Sequence, residues 1–470
     1  MTSLTDHQNK NMLLGAEWYE VAQRLKDFES YNYLDEQHTP QLAPGQDFFF
    51  GGFAGTGKST ILPHMIEKFG LDATDVSFCA PTGKAAKVMG NKLKAEGIFI
   101  RPTTIHKLIY LPKSGTADAV AKEIDQLCKH IDYIASKGVN GQKHFDRKYH
   151  DLSMDDLRTA LNRLEIDMAR LLSADDGPKF RLKDRLDFPP QTKLIVVDEA
   201  SMCGGLVAND LAYFGVPILA IGDPGQLPPV KDTHGFNVKH PDAFLTEIHR
   251  QAKDNPIIYL ATRAREGKDL KVGDYGDGVE VVARRDDTAT LDLDRDAILL
   301  VGTHRKKWQV TEKIREGLGY TDSGPYAGEP LMVCKNSTKI PAMVNGTIVE
   351  CMTDWGDLQR GNDIMTIRVK DVEDDSDVYP EHLMVCAQSL FEEHVLRQRG
   401  AYTAKPNKAF DAKRRREHLD WAHALTVHKA QGSQWDDVVL HDESGVFRQD
   451  AAKWLYTGVT RAAKRLTVIV

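Results

Sequence analysis

One stretch, Gly52-Phe53-Ala54-Gly55-Thr56-Gly57-Lys58-Ser59, limits what this chain can fold into more than any other. A glycine, four residues and then Gly-Lys-Ser is the spacing of a phosphate-binding loop, which works only between a buried strand and a helix. Both flanks are present. Asp47-Phe48-Phe49-Phe50 is short, apolar and aromatic, and Thr60 through Lys68 reads as a helix stopped by Gly70. Glycines let the backbone wrap an anion closely, so that successive N–H groups and the positive end of the helix converge on it. Gly52, Gly55, Thr56, Gly57 and Thr60 form the expected cradle. Lys58 is placed for the β- and γ-oxygens of a nucleotide, and Ser59 for Mg²⁺ through its hydroxyl.

Such a loop needs the rest of an α/β sheet around it. Val76–Cys79 reads as a second strand, ending at Ala80-Pro81-Thr82-Gly83-Lys84 ahead of a helix over Ala85–Leu93. Pro102-Thr103-Thr104-Ile105-His106-Lys107-Leu108 follows. Each of these two stretches reads equally as a capped helix start or as a ligand-contacting loop. Lys193–Val197 is a buried parallel strand that delivers Asp198 and Glu199 to its carboxyl end, where ligands sit in open α/β sheets. Asp198 is suited to hold Mg²⁺, and Glu199 to orient and deprotonate an attacking water. A third strand, Pro217–Gly222, leads into Asp223-Pro224-Gly225-Gln226-Leu227-Pro228-Pro229, whose Gln226 suits a γ-phosphate or its water. Arg250, in Glu247–Gln251, is either a phosphate contact or a surface ion pair. Upstream, Leu14, Trp18, Val21, Leu25 and Phe28 recur at helical spacing and predict a helix over 11–36, with Gln8 just before it.

At 470 residues the chain has room for two or more domains. No apolar run approaches the roughly 18 residues of a membrane span, and the first residues lack the basic-then-apolar layout of a signal peptide. The cysteines at 79, 128, 203, 334, 351 and 386 show no zinc spacing, so reduced thiols in a cytoplasmic protein are expected. The net charge of −7 excludes a protein that holds nucleic acid by overall positive charge; such binding would need a local groove.

Taken together, the motif order resembles superfamily 1 helicases, and within them the 5′-to-3′ branch of RecD-like and small phage Dda-type enzymes. The resemblance covers Gly52–Thr60, Ala80–Val88, Thr103–Leu108, Val196–Met202, Ile221–Val230, Glu247–Gln251, Ala424–Gly432 and Leu455–Arg465. Its specific phrases are Gly222–Pro229 and Val427-His428-Lys429-Ala430-Gln431-Gly432. The phosphate loop alone would equally suit a small-molecule kinase, which needs neither Gly432 nor Arg461.

The resemblance implies an α/β fold of two RecA-like P-loop domains with ATP and Mg²⁺ between them. It implies that Gln8 reads adenine, that His249 stacks on the base, and that Arg250 and Arg461 clamp the γ-phosphate, with Gly432 near the nucleotide. Single-stranded DNA, with RNA as a possible substitute, would cross Pro81, Thr82, Lys84, Thr103, Thr104 and His106 in the first domain. In the second it would cross Thr303, His304, Thr426, His428 and Lys429. The first domain is expected over 1–110 and 191–255, and the second over 256–329 and 421–470. Residues 111–190 show no strand pattern. Leu157, Leu161, Leu164, Met168 and Leu171, with Ser153 and Asp156 as a capping box, predict a mostly helical insertion there. Short strand patterns over 330–420 predict a small β-barrel, SH3-like in the family. The basic run Lys413–Arg416 after it is either a backbone-contacting face or a solvated helix. A monomer acting on single strands and duplex forks is implied, as a helicase or as a translocase that does not unwind. Replication or single-strand-binding proteins are the partners to expect.

Overall fold

The computed structural model describes residues 4–24, 41–112, 124–128, 131, 157, 161, 180–183, 185–229, 232–247, 254–284, 297–320, 324–337, 340, 343–353, 359–361, 364–372, 382–386 and 417–470. The chain divides into two compact units, one of Met1–Leu108 with Pro189–Val470 and one of Ile109–Phe188.

In the larger unit, β1 (Asp47–Gly52), β2 (Val76–Ala80) and β3 (Thr103–Thr104) begin a parallel sheet. The smaller unit contributes β4 (Tyr110–Pro112) and β5 (Phe180–Leu182), paired antiparallel. The first sheet then resumes with β6 (Leu194–Val197), β7 (Ile218–Gly222) and β8 (Ala243–Leu245), in the order β3-β2-β6-β7-β1-β8. Every pairing in it is parallel. Helices cover a parallel sheet on both faces, which is why its strands read as unbroken apolar runs. Phe49, Phe50 and all four residues of β6 are fully buried, at about 1.5–3 kcal/mol of transfer free energy for each large side chain. The order makes β6, β7 and β1 neighbours, so the loops leaving their carboxyl ends converge.

A second sheet holds β9 (Gly273–Gly276), β10 (Val279–Val282), β11 (Ile298–Val301), β18 (Ala424–Thr426), β19 (Trp435–His441) and β20 (Ala462–Ile469). Its order is β18-β11-β19-β20-β10-β9, and only β9 runs antiparallel. Between β11 and β18 lies an antiparallel sheet of β12 (Pro330–Val333), β13 (Ile348–Cys351), β14 (Gln359–Gly361), β15 (Ile364–Asp371), β16 (His382–Cys386) and β17 (Leu419–Trp421). Leu331, Val349, Ile367, Met384 and Trp421 give it a buried core of its own. The helix His304–Gly317 is fastened to it by buried ion pairs. Lys307 meets Asp420 at 2.5 Å, and Arg315 Nε donates to Glu329 Oε1 at 2.7 Å, an oxygen that His423 Nε2 also reaches at 2.9 Å. Toward the first sheet, Lys87 on the helix Gly83–Ala95 pairs with Asp371 at 3.0 Å. The Lys413–Arg416 run lies outside the described residues.

Three expectations need correction. The first helix spans Asp6–Arg24, so Gln8 lies inside it rather than ahead of it. Its buried face is Gln8, Asn11, Gly15, Tyr19 and Ala22, while the Leu14 and Val21 expected inward are 40% and 56% exposed. Close approach decides the face. A Cβ at Gly15 would lie 2.6 Å from Met65 Cε, and Tyr19 stacks on Phe69 at 4.8 Å. Leu25 and Phe28 lie outside the described residues. The third correction is β4–β5, a strand pair in a segment read as strandless; three residues a side are too few to show an alternation. Of the expected helical stripe, Leu157 and Leu161 are helical and Leu157 is fully buried, while Leu164, Met168 and Leu171 lie outside the described residues. Among the described residues, no helix is long and apolar enough to cross a membrane. Cys79 and Cys203 are buried, which raises both thiols, Cys203 to about 12.

Candidate functional site

The loop after β1 turns through Gly55 and Gly57, each at φ 79°, a conformation that costs glycine nothing and a Cβ a good deal. Gly57 then caps the helix Lys58–Lys68. Thr56 is buried, and its hydroxyl donates to the Phe53 carbonyl at 2.8 Å. Gln8 closes over the loop from behind. Its Nε2 donates to the Thr56 carbonyl at 3.4 Å, while its Oε1 accepts from Thr5 N and its own N–H donates to Thr5 Oγ1. That is a reciprocal Thr-x-x-Gln cap at the start of the first helix. Lys58 Nζ donates to the Gly52 and Phe53 carbonyls at 2.6 and 3.0 Å and lies 3.9 Å from Asp223 Oδ2.

At the end of β6, Asp198 Oδ1 accepts from Glu199 N at 2.9 Å. Glu199 sits at φ 53°, ψ 36°, left-handed for a residue with a Cβ. Such strain costs of order 1–3 kcal/mol and gathers at functional positions. Burial, and then Asp198 beside it, hold the Glu199 carboxyl above its ordinary range, with Arg461 and Lys58 pulling the other way. At the end of β7, Asp223 is buried and accepts from Gly225 N and from the Tyr456 hydroxyl. Gln226 is 5% exposed, and its buried Oε1 has no partner among the described residues. A satisfied core glutamine would not leave that atom bare.

A cleft of 460 Å³ opens onto these loops, and Gln8 is not among its lining residues. Gly55, Gly57, Lys58, Thr60, Asp198, Glu199 and Gln226 line one side, and Gly432, Ser433, Thr460 and Arg461 the other. Arg461 is held by donating to the Thr457 carbonyl at 3.0 Å, the Ser433 carbonyl at 2.9 Å and Thr460 Oγ1 at 3.1 Å. Burial pulls its pKa down while Glu199 and Asp223 oppose that. Gly432 packs on the helix Gly83–Ala95, where a Cβ would lie 3.0 Å from that of Ala85. The cleft thus offers a cation on each side, backbone amides, the carboxylates of Asp198, Glu199 and Asp223 and a bare amide oxygen. Those groups suit a polyphosphate, and the carboxylate of Asp198 suits a divalent cation. The Ser59 side chain, His249 and Arg250 lie outside the described residues.

The residues expected to meet nucleic acid scatter along the strand ends of both parallel sheets. Thr82 caps the helix Gly83–Ala95 by accepting from Ala85 N, Pro81 precedes it, and Lys84 is buried with its ammonium 4.4 Å from the centre of the Trp435 ring. Thr103 and Thr104 form β3, and His106 is exposed on the short helix after it. Thr303 caps the helix His304–Gly317, whose His304 is exposed. Its N–H and that of Gly302 donate to Glu443 Oε2 at 3.1 and 2.6 Å, and its hydroxyl donates to Glu443 Oε1 at 3.2 Å. Thr426 is buried, Lys429 is exposed, and His428 lies 5.3 Å from Phe447. Near Glu443, His441 is 4% exposed and neither ring nitrogen has a partner among the described residues. Burial, with Lys306 and Arg284 nearby, lowers it to about 4.

Three residues were not anticipated as site members: Tyr456, Asp223 and Glu443. Asp223 and Tyr456 stand inside quoted motifs, which was their only signal in the sequence. Glu443 had none.

The AAA domain family matches residues 45–286, more than half of the chain. The chain belongs to that family. Residues 421–469, which carry Gly432 and Arg461, match the UvrD-like helicase C-terminal domain. A helicase C-terminal domain beside the AAA domain agrees with the helicase resemblance of the motif order. The ATP-dependent RecD2 DNA helicase of Deinococcus radiodurans is 25% identical over 446 residues, covering 90% of this chain. The chain spans 47% of that relative's length. Solved structures of similar arrangement include the Pif1 helicase of Candida albicans (16% identity, 100% of this chain and 95% of that one, TM-score 0.43). Bacteroides Pif1 bound to single-stranded DNA is another (17% identity, 96% and 92%, TM-score 0.42).

Proposed function

We propose that this chain is an ATP-dependent DNA helicase that moves 5′ to 3′ on single-stranded DNA and opens duplex in replication, recombination or repair. One observation carries the reading: Arg461, from the C-terminal region, lines the same cleft as Lys58, Asp198 and Glu199. In this reading ATP lies in the cleft, with Lys58 and the loop amides on its phosphates. Glu199 takes a proton from the attacking water, Gln226 holds that water or the γ-phosphate, and Arg461 meets the charge that develops in transfer. Mg²⁺ held by Asp198 and the Ser59 hydroxyl would neutralise phosphate charge. Arg250 is the second clamp, and His249 and Gln8 are the base contacts. Residues 1–110 with 191–255 and 256–329 with 421–470 form the two motor domains, carrying a helical insertion over 111–190 and an SH3-like insertion over 330–420. Closing and opening the cleft shifts the grip on the strand between the two rows of threonines and histidines. The protein acts as a monomer.

Unwinding of 5′-tailed and 3′-tailed DNA and RNA duplexes, measured side by side with ATP turnover, tests this. Strand release from 5′-tailed DNA is expected. Stimulated turnover with no released strand would instead make it a translocase, and no stimulation by any single strand would end the reading.

A further inference from the structure

A phenol from the C-terminal region reaches into the phosphate loop. The Tyr456 hydroxyl accepts from Ala54 N at 2.8 Å and donates to Asp223 Oδ2 at 2.6 Å, with the residue 1% exposed. One oxygen therefore ties together the phosphate loop, the loop after β7 and the helix Ala451–Val459. The bond to Asp223 needs a neutral phenol. Burial and the adjoining Asp223 carboxylate push its pKa well above the ordinary value, which keeps it neutral. The residue after it, Thr457, carries the rest of the joint. Its carbonyl accepts from Arg461 Nε at 3.0 Å, and its hydroxyl accepts from Leu227 N at 3.0 Å. The ring has no slack, since a Cβ at Gly225 would lie 2.9 Å from Tyr456 Cε1. Arg461 is thus indexed to the phosphate loop through a short chain of bonds that begins at the Tyr456 oxygen.

We propose that Tyr456 is a positioning residue that sets Arg461 against the phosphates and joins its placement to that of the phosphate loop. The proposal rests on the ATPase reading above and deepens it. Tyrosine is required because the same oxygen must accept from an amide and donate to a carboxylate, which phenylalanine cannot do. A charge-assisted O–H···O⁻ bond of this kind is short, strong and directional.

Because the residue acts through Arg461, the test is a double-mutant cycle on the full chain. It compares Tyr456→Phe, Arg461→Ala and the pair by ATP turnover with saturating single-stranded DNA. Each variant is also titrated with a non-hydrolysable ATP analogue and melted. Tyr456→Phe keeps the ring and is expected to lower kcat about 10-fold while leaving analogue affinity within about 2-fold. In the Arg461→Ala background the same change is expected to cost less than about 2-fold. Gly225→Ala pushes the ring aside with its hydroxyl intact, and a matching loss of kcat without loss of affinity supports the same conclusion even if Tyr456→Phe folds poorly. Equal losses from Tyr456→Phe in both backgrounds, or affinity falling as far as kcat, would overturn the proposal. If Arg461→Ala itself turns over ATP at the wild-type rate, the role given to Arg461 in that reading fails and this inference fails with it, while the ATPase reading stands.

Discussion

At the carboxyl end of β1 the chain turns through Gly52–Gly57 into the helix Lys58–Lys68. At the carboxyl end of β11 it turns through Gly302 and Thr303 into the helix His304–Gly317. Both turns aim backbone amides and a positive helix end at one point. The second carries its own anion, because Glu443 takes both amides and the threonine hydroxyl. In the first, among the described residues, no carboxylate accepts from an amide of Gly52–Gly57, and the loop's lysine donates to its own carbonyls. The same local architecture thus serves as a joint where the chain supplies the anion and as a binding site where it does not.

Three substitutions probe that difference. Lys58→Ala should reduce ATP turnover to background, because the loop loses the only side-chain cation that the sequence places within it; near-normal hydrolysis would remove the contrast altogether. Glu199→Gln keeps the shape of the cleft but not the base. Turnover should fall about 10²–10⁴-fold while analogue affinity holds, and a matching loss of affinity would make Glu199 a binding group instead. Glu443→Ala leaves the Gly302 and Thr303 amides bare. It should destabilise the fold by about 1–3 kcal/mol, read as a lower melting midpoint, and an unchanged midpoint would show that the second turn needs no anion.

The smallest expected effect concerns pH. His441 titrates near 4 in the fold against 6.5 unperturbed, so its contribution is complete above the unfolded value and is lost as pH falls through the window between them. Roughly 1 kcal/mol should be gone by about pH 5.5. His441→Leu should flatten that slope, and an unaltered slope would assign it to other groups.

The sequence carries these features unequally. Anion capture forces glycines and a lysine into fixed local spacing, so the phosphate loop could be read directly from its residues. Glu199 and Gln226 needed the strand before each, and Arg461 needed the order of all the motifs. Tyr456 could not be recovered, because its two partners lie 402 and 233 positions away and a lone tyrosine carries no spacing. Glu443 is hidden for the same reason, 140 positions from Thr303. The first helix misled in another way. Apolar recurrence marks a helix but does not say which face is inward, and there a glycine against Met65 outweighed Leu14 and Val21.

The antiparallel sheet between β11 and β18 works as a strut with two kinds of end. Lys307–Asp420 and Arg315–Glu329, with both partners buried in each, bolt it to the helix His304–Gly317. Lys87–Asp371 hooks it to the helix Gly83–Ala95, and there the lysine is 29% exposed to solvent. Any swing of the second parallel sheet away from the first must carry the strut along, and the strain falls on the hook before it reaches the bolts.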